Sequence, residues 1–98
     1  GVHMKKYEVM YILKADLDEA TRNETIEKVN GILTKNGATI ETVDHSLGLR
    51  ELAYPINDEV KGYYVVLKIT ADTNATNEFS RLVKINPSVL RHLILVEE

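Results

Sequence analysis

The 98-residue chain predicts an α+β fold in which strands and helices follow one another in the order βαββαβ. Three observations carry this reading. Lys5–Leu13 and Tyr63–Thr70 alternate with the two-residue rhythm of strands. Two other segments, each opened by aspartate, repeat apolar residues at helical spacing. Between and after them lie β-rich stretches, the last beginning just beyond Pro87.

In the first strand Tyr7, Val9, Tyr11 and Leu13 point one way, and Lys6, Glu8, Met10 and Ile12 the other. Asp16 followed by Glu19 resembles a capping box, which predicts a helix from about Leu17 to Asn36. Its stripe is Ile26, Val29, Ile32 and Leu33, and Gly37 fits the left-handed position just past a helix end. Gly31 inside that helix costs about 1 kcal/mol relative to alanine, which suggests close packing there. Thr39–Tyr54 reads as a longer extended segment with imperfect alternation, and Gly48 marks a bulge or bend. Pro55 cannot donate to a sheet ladder, so a stopped turn and the loop 57–61 are expected before Gly62. The third strand, Tyr63–Thr70, sets Tyr63, Val65, Leu67 and Ile69 against Tyr64, Val66 and Lys68. A second helix runs from Asp72 or Thr73 to Ile85 on the stripe Ala75, Phe79, Leu82 and Val83. Pro87 stops it, and Val89–Val96 forms the final strand.

This order is the split βαβ, ferredoxin-like arrangement. Right-handed crossovers place both helices on one face of a four-stranded antiparallel sheet, with the first and third strands central. Tyr7, Val9, Tyr11, Leu13 and their counterparts on the third strand then lie under the helices. The other face has no cover, yet Met10, Ile12, Tyr64 and Val66 on it are apolar. The final strand is apolar on both faces, through Leu93 and Leu95 as well as Ile94 and Val96. An exposed apolar patch of this kind predicts a protein partner. Met10, Ile12, Tyr64, Val66 and Leu93 are the candidate contact residues.

Composition bounds the function. Hydrophobic residues make up 44% and charged residues 28%, the balance of an ordinary globular domain. Gly1-Val2-His3 ahead of Met4 reads as a remnant of expression, and 4–98 as one domain. No stretch has the run of about 18 apolar residues that spans a membrane, no signal peptide is visible, and cysteine is absent. The expectation is a cytoplasmic protein without disulfides. A net charge of −3 argues against nucleic-acid binding by bulk attraction and leaves room only for a local basic patch.

Catalytic chemistry finds no constellation. His45 and His92 lack carboxylate or histidine neighbours at metal-ligand spacing, so His92 reads as structural. Asp16, Asp18 and Glu19 are explained by helix capping, and Asp58-Glu59 by a solvated turn. Lys61-Gly62-Tyr63 followed by Tyr64-Val65-Val66 partly matches the strand signature of RNA-recognition modules. Val65 and Lys68 stand where stacking aromatics are needed, so base stacking on this sheet is not expected. No catalytic residue, metal, cofactor or small-molecule substrate is predicted.

One string is specific beyond these patterns. Gly48-Leu49-Arg50-Glu51-Leu52-Ala53-Tyr54-Pro55-Ile56 resembles the bacterial small-subunit ribosomal protein six family. The opening Met4-Lys5-Lys6-Tyr7-Glu8 and the closing Val89-Leu90-Arg91-His92-Leu93-Ile94-Leu95-Val96 agree with it, so the resemblance covers nearly the whole chain. The chain departs from the family at Leu47, where an aromatic is common, and at Glu51 and Leu90, where basic residues often stand. The resemblance implies a ribonucleoprotein component that acts in translation in the cytoplasmic ribosome. It would pair with small-subunit ribosomal protein eighteen, and the two would bind the central domain of small-subunit rRNA. Lys5, Lys6, Arg50 and Arg91 would form the patch that meets phosphates, each weighed against a plain solvated charge. Two other readings stand beside it. One is a ferredoxin-like regulatory domain that binds a small molecule and self-associates through its open sheet. The other, an acylphosphatase-like enzyme, lacks the anion-cradling loop and positioned asparagine that its chemistry needs.

Overall fold

In the computed structural model, β1 (Lys5–Lys14), α1 (Glu19–Lys35), β2 (Thr39–Ile56), β3 (Glu59–Ala71), α2 (Thr73–Lys84) and β4 (Val89–Glu97) follow in that order. The structure describes residues 4–56 and 59–97, without the side chains of His45, Ala53 and Ile56. The readings of residues 1–3, of Asp58 in its turn and of the His45 side chain therefore lie outside the described residues.

The sheet runs β2-β3-β1-β4, all neighbours antiparallel, so β1 and β3 are central as expected. Both helices lie on the face that carries Tyr7, Val9, Tyr11 and Leu13 of β1 and Val65, Leu67 and Ile69 of β3, all buried. Against them pack Ile26, Val29 and Leu33 of α1 and Ala75, Phe79 and Val83 of α2. Phe79 is wholly buried and meets the Tyr11 ring at 6.4 Å and the edge of His92 at 6.2 Å. The Tyr11 hydroxyl donates to Asn30 Oδ1 at 3.1 Å, which satisfies the one polar atom of a buried ring.

The helix ends follow local chemistry. Asp18, not Asp16, caps α1, its carboxylate accepting from the Thr21 backbone N–H at 3.1 Å. β1 runs on to Lys14 and Leu17 packs against the core, so α1 starts two residues later than the spacing suggests. Beyond Asn36, Gly37 takes a φ of 89°. Its N–H bonds the Thr34 carbonyl and that of Ala38 bonds the Leu33 carbonyl, a Schellman motif that glycine makes cheap. Asp72 caps α2 by accepting from the Ala75 N–H at 2.8 Å. Leu82, expected in the core, is only half-buried: the inward stripe runs Ala75, Phe79, Val83, and Leu82 stands on its flank. Gly31 is not a close-packing site either, because nothing lies within 4 Å of where its Cβ would stand.

The largest departure from the sequence reading is an arm. β2 and β3 are not stopped at Pro55 and Gly62; they continue as a ladder to Ile56 opposite Glu59. Residues 59–61 project past Lys14, where β1 ends opposite Gly62. This gives the molecule a long axis of 43 Å against 25 and 23 Å. β2 is irregular throughout. It advances from Asp44 to Gly48 while β3 moves only from Val66 to Tyr64, and from Glu51 to Ile56 while β3 moves only from Lys61 to Glu59. The surplus residues bulge out and bend the arm. Gly48 sits at the first such bulge with a φ of 56°, a conformation that favours glycine.

Candidate functional site

The register fixes which side chains share the face without helices. Across it, Val66, Met10 and Leu93 form one row, and Tyr64, Ile12 and Arg91 the next. On the far side of these rows Lys68, Glu8 and Leu95 form a third, and Thr70, Lys6 and Glu97 a fourth. The apolar side chains thus gather at the end of the sheet from which the arm departs. A bridge from Lys68 Nζ to Glu97 at 3.4 Å marks the polar end.

The bent arm turns this flat patch into a groove. Leu52 and Tyr54 of β2 reach back over the sheet, and the Arg91 guanidinium, three strands away on β4, donates to the Tyr54 hydroxyl. The resulting groove, of roughly 230 Å3, is lined by Met10, Ile12, Leu52, Tyr54, Tyr64, Arg91 and Leu93, with His92 at its border. Met10, Tyr64 and Val66 are half-buried and Leu93 is 42% exposed, so these four reach the surface of this face.

Ile12 does not. It is only 5% exposed, and the reason lies in Gly62. A Cβ placed on Gly62 would stand 2.3 Å from the Ile12 Cγ2 methyl and 3.3 Å from Leu52 Cδ2. Ile12 occupies the space that the missing side chain leaves and is roofed by the arm. It is the floor of the groove rather than its contact surface. Gly62 has no positive φ, so this position requires glycine for space and not for backbone freedom.

The basic residues are not brought together as one patch. Arg91 lines the groove. Arg50 is exposed on β2 opposite Gly62, its Nε donating to the Leu47 carbonyl at 2.9 Å. Lys6 and Lys5 are exposed at the other end of β1; Lys6 pairs with Thr70 and Glu97, six residues and about 20 Å along the strand from the Arg91 row. Lys5, one residue on, alternates to the helix side. Lys14, the last residue of β1, stands opposite Gly62 at the end from which the arm departs. Lys28 lies on the outer surface of α1, remote from the groove.

His92 sits on the helix side of β4, its ring edge against Phe79. Burial, and then the charge of Lys84, pull its pKa below the usual histidine value. That is the environment of a packed structural histidine. Among the described residues, no group of three or more His, Cys, Asp or Glu could hold a metal ion, and no helix is long and apolar enough to cross a membrane.

Leu52 and Tyr54 were missed as site residues because sequence alone reads Pro55 as the end of a strand. The signal that points to them is Gly62 itself, an interior strand glycine that asks which neighbour approaches so closely.

The profile of the family described as Ribosomal protein S6 matches residues 6–95. The chain is 52% identical over 95 residues to the small ribosomal subunit protein bS6 of Halalkalibacterium halodurans, covering 97% of this chain and 99% of that protein. It is 50% identical, over the same share of each, to the bS6 protein of Shouchella clausii. The crystal structure of 30S ribosomal protein S6 from Thermotoga maritima superposes with a TM-score of 0.89 at 24% identity, covering 97% of this chain and 89% of that one. At that identity the likeness speaks for the ferredoxin-like fold.

Proposed function

The chain belongs to the ribosomal protein S6 family, and we propose from this that it works as a non-catalytic structural component of the small ribosomal subunit in the cytoplasm. In the finer reading, its groove receives small-subunit ribosomal protein eighteen, and the pair binds the central domain of small-subunit rRNA. The observation that carries the reading is an apolar groove, cation at its edge, on a chain of net charge −3. Such a surface gives little long-range attraction for RNA. It suits a basic protein partner that brings most of the charge.

Met10, Tyr64, Val66 and Leu93 are assigned to the partner, and Ile12 supports them from below. Arg91, beside the groove, and Arg50, on the same end of the sheet, are the cations best placed to reach phosphate next to a bound partner. Lys5 and Lys6 form a second, separate station. The regulatory alternative has less support, because the family match favours a ribosomal protein.

The test is a mixing experiment with protein eighteen and central-domain rRNA. The chain alone should bind RNA weakly, and the pair should form a ternary complex whose affinity falls as salt rises. Val66→Glu should leave the chain folded yet abolish pairing, because association would bury an unpaired charge. Replacing Lys6, Arg50 or Arg91 should flatten the salt dependence by about one unit per lost phosphate contact, and replacing Lys28 should not. Equal behaviour of all four would show the cations to be misassigned. A pair without affinity for rRNA would refute the reading.

A further inference from the structure

We propose that two copies of this chain pair edge to edge through β4, forming a symmetric dimer with a continuous eight-stranded sheet. The inference rests on the edge of the sheet and does not depend on the groove or on RNA.

The two edges of the sheet are built differently. β2, at one edge, is interrupted by repeated register shifts, carries Pro55, and exposes Glu41, Asp44, Arg50 and Glu51. These are the devices by which an edge strand avoids pairing with another chain. β4, at the other edge, has neither proline nor repeated register shifts, and its two charged residues, Arg91 and Glu97, flank an apolar middle. Its one register shift falls at Leu90; from Arg91 to Glu97 it pairs regularly with β1. Within that stretch Leu93, Ile94, Leu95 and Val96 run without a charge, and Leu95 and Val96 are 52% and 53% exposed. Its outer row of N–H and C=O groups faces no other described strand. A regular edge whose middle, Leu93–Val96, is apolar and without charge is a template for another strand.

The sequence of β4 names that strand. An antiparallel pairing of two copies about Ile94 sets Leu93 opposite Leu95 and His92 opposite Val96. It also sets Arg91 opposite Glu97, twice by symmetry. All four charges lie on the open face, as the register with Ile12 and Lys6 requires. Directly opposed residues of opposite charge favour pairing, and opposed like charges disfavour it. One register therefore satisfies the apolar residues and the only two charges of the strand together, and the interface is isologous. In the dimer the Arg91 guanidinium faces the Glu97 carboxylate of the second copy. Pairing of copies thus competes with the contact of Arg91 to Tyr54.

The experiment is sedimentation equilibrium of the full chain up to millimolar concentration, with folding of each variant checked by circular dichroism. The wild type should dimerise. Arg91→Glu and Glu97→Arg should each weaken the dimer by at least about tenfold, since each turns two attractive pairs into repulsive ones. The double variant should regain it. Leu95→Lys, outside the groove, should give a folded monomer, and Val66→Glu on the open face should leave the dimer intact. A wild type that stays monomeric, a dimer indifferent to the charge swaps, or one lost in Val66→Glu would each overturn the edge pairing. A dimer lost in Val66→Glu would instead favour self-association through the open face; the other outcomes leave the expected assembly with protein eighteen and rRNA untouched.

Discussion

Gly62 offers the sharpest test of the groove. Its missing side chain is filled by Ile12, whose Cγ2 would lie 2.3 Å from a new Cβ, far inside van der Waals contact. Cγ2 is a branch methyl on a stiff χ1, not the free end of a long chain, so it cannot swing aside cheaply. Leu52 at 3.3 Å and the Leu13 carbonyl at 3.5 Å close the other directions. Forcing a methyl into such a site costs about 1–3 kcal/mol. Replacing a strand glycine by alanine returns about 0.5–1 kcal/mol of chain entropy. Gly62→Ala should therefore destabilise by up to roughly 2.5 kcal/mol net. Ile12→Ala alone should cost about 2–5 kcal/mol as a buried truncation. In the double variant the new methyl enters the space vacated by Cγ2, so the two losses should fall short of their sum by about 1 kcal/mol or more. Urea unfolding of the four proteins of this cycle, with unchanged m-values, measures the difference. Strict additivity would refute the filling of Gly62 by Ile12 and with it the floor of the groove.

Other substitutions probe other parts of the fold. Phe79→Ala, which empties a fully buried ring site between Tyr11 and His92, should cost about 3–5 kcal/mol in the same urea assay. Gly31→Ala should raise stability by up to about 1 kcal/mol, since its Cβ meets open space in the middle of a helix. His92 contributes to pH dependence with a definite sign. Its folded pKa is lowered by burial, so the unfolded chain binds the proton more readily. Stability should be full above about pH 6.5, the ordinary histidine value, and should fall as acidity increases through the folded pKa. His92→Gln should flatten that part of the curve, and unfolding measured from pH 7 to pH 5 will show whether it does.

The regular parts of the fold were legible because their signals are local. Tyr7, Val9, Tyr11 and Leu13 alternate with the pleat, Gly37 marks its helix end, and Asp72 its helix start. The misses share one physical cause: two local solutions of similar quality, chosen between by something distant. Asp16 and Asp18 both suit a helix start, and the packing of Leu17 selects Asp18. Leu82 and Val83 both follow Phe79 at helical spacing, and the direction of the core selects Val83. Ile12 shares its face with Met10, and only the curl of an arm forty residues further along decides that it is covered. The arm was hidden by Pro55, which ends a regular strand but is accommodated at a bulge on an edge. Site residues suffered likewise. Lys5, Lys6, Arg50 and Arg91 were joined into one patch by charge alone, which says nothing of position: the register sets Lys6 about 20 Å along the strand from Arg91.

The strand order also has a consequence in time. β1 precedes every other described strand in the chain and β4 follows them all, yet the two are neighbours in the sheet, β1 central and β4 at its edge. A growing chain that has reached α2 can assemble β2, β3 and β1, but β1 is then an edge, its pairing side toward β4 still open. The amide of Lys14 waits for the Ser88 carbonyl, and Met10 for Leu93. Only when β4 has left the synthesising machinery does β1 gain its second neighbour. Interrupting translation before Val89 should thus leave the β4 side of β1, an apolar strand, open, a situation prone to capture by another unfinished copy.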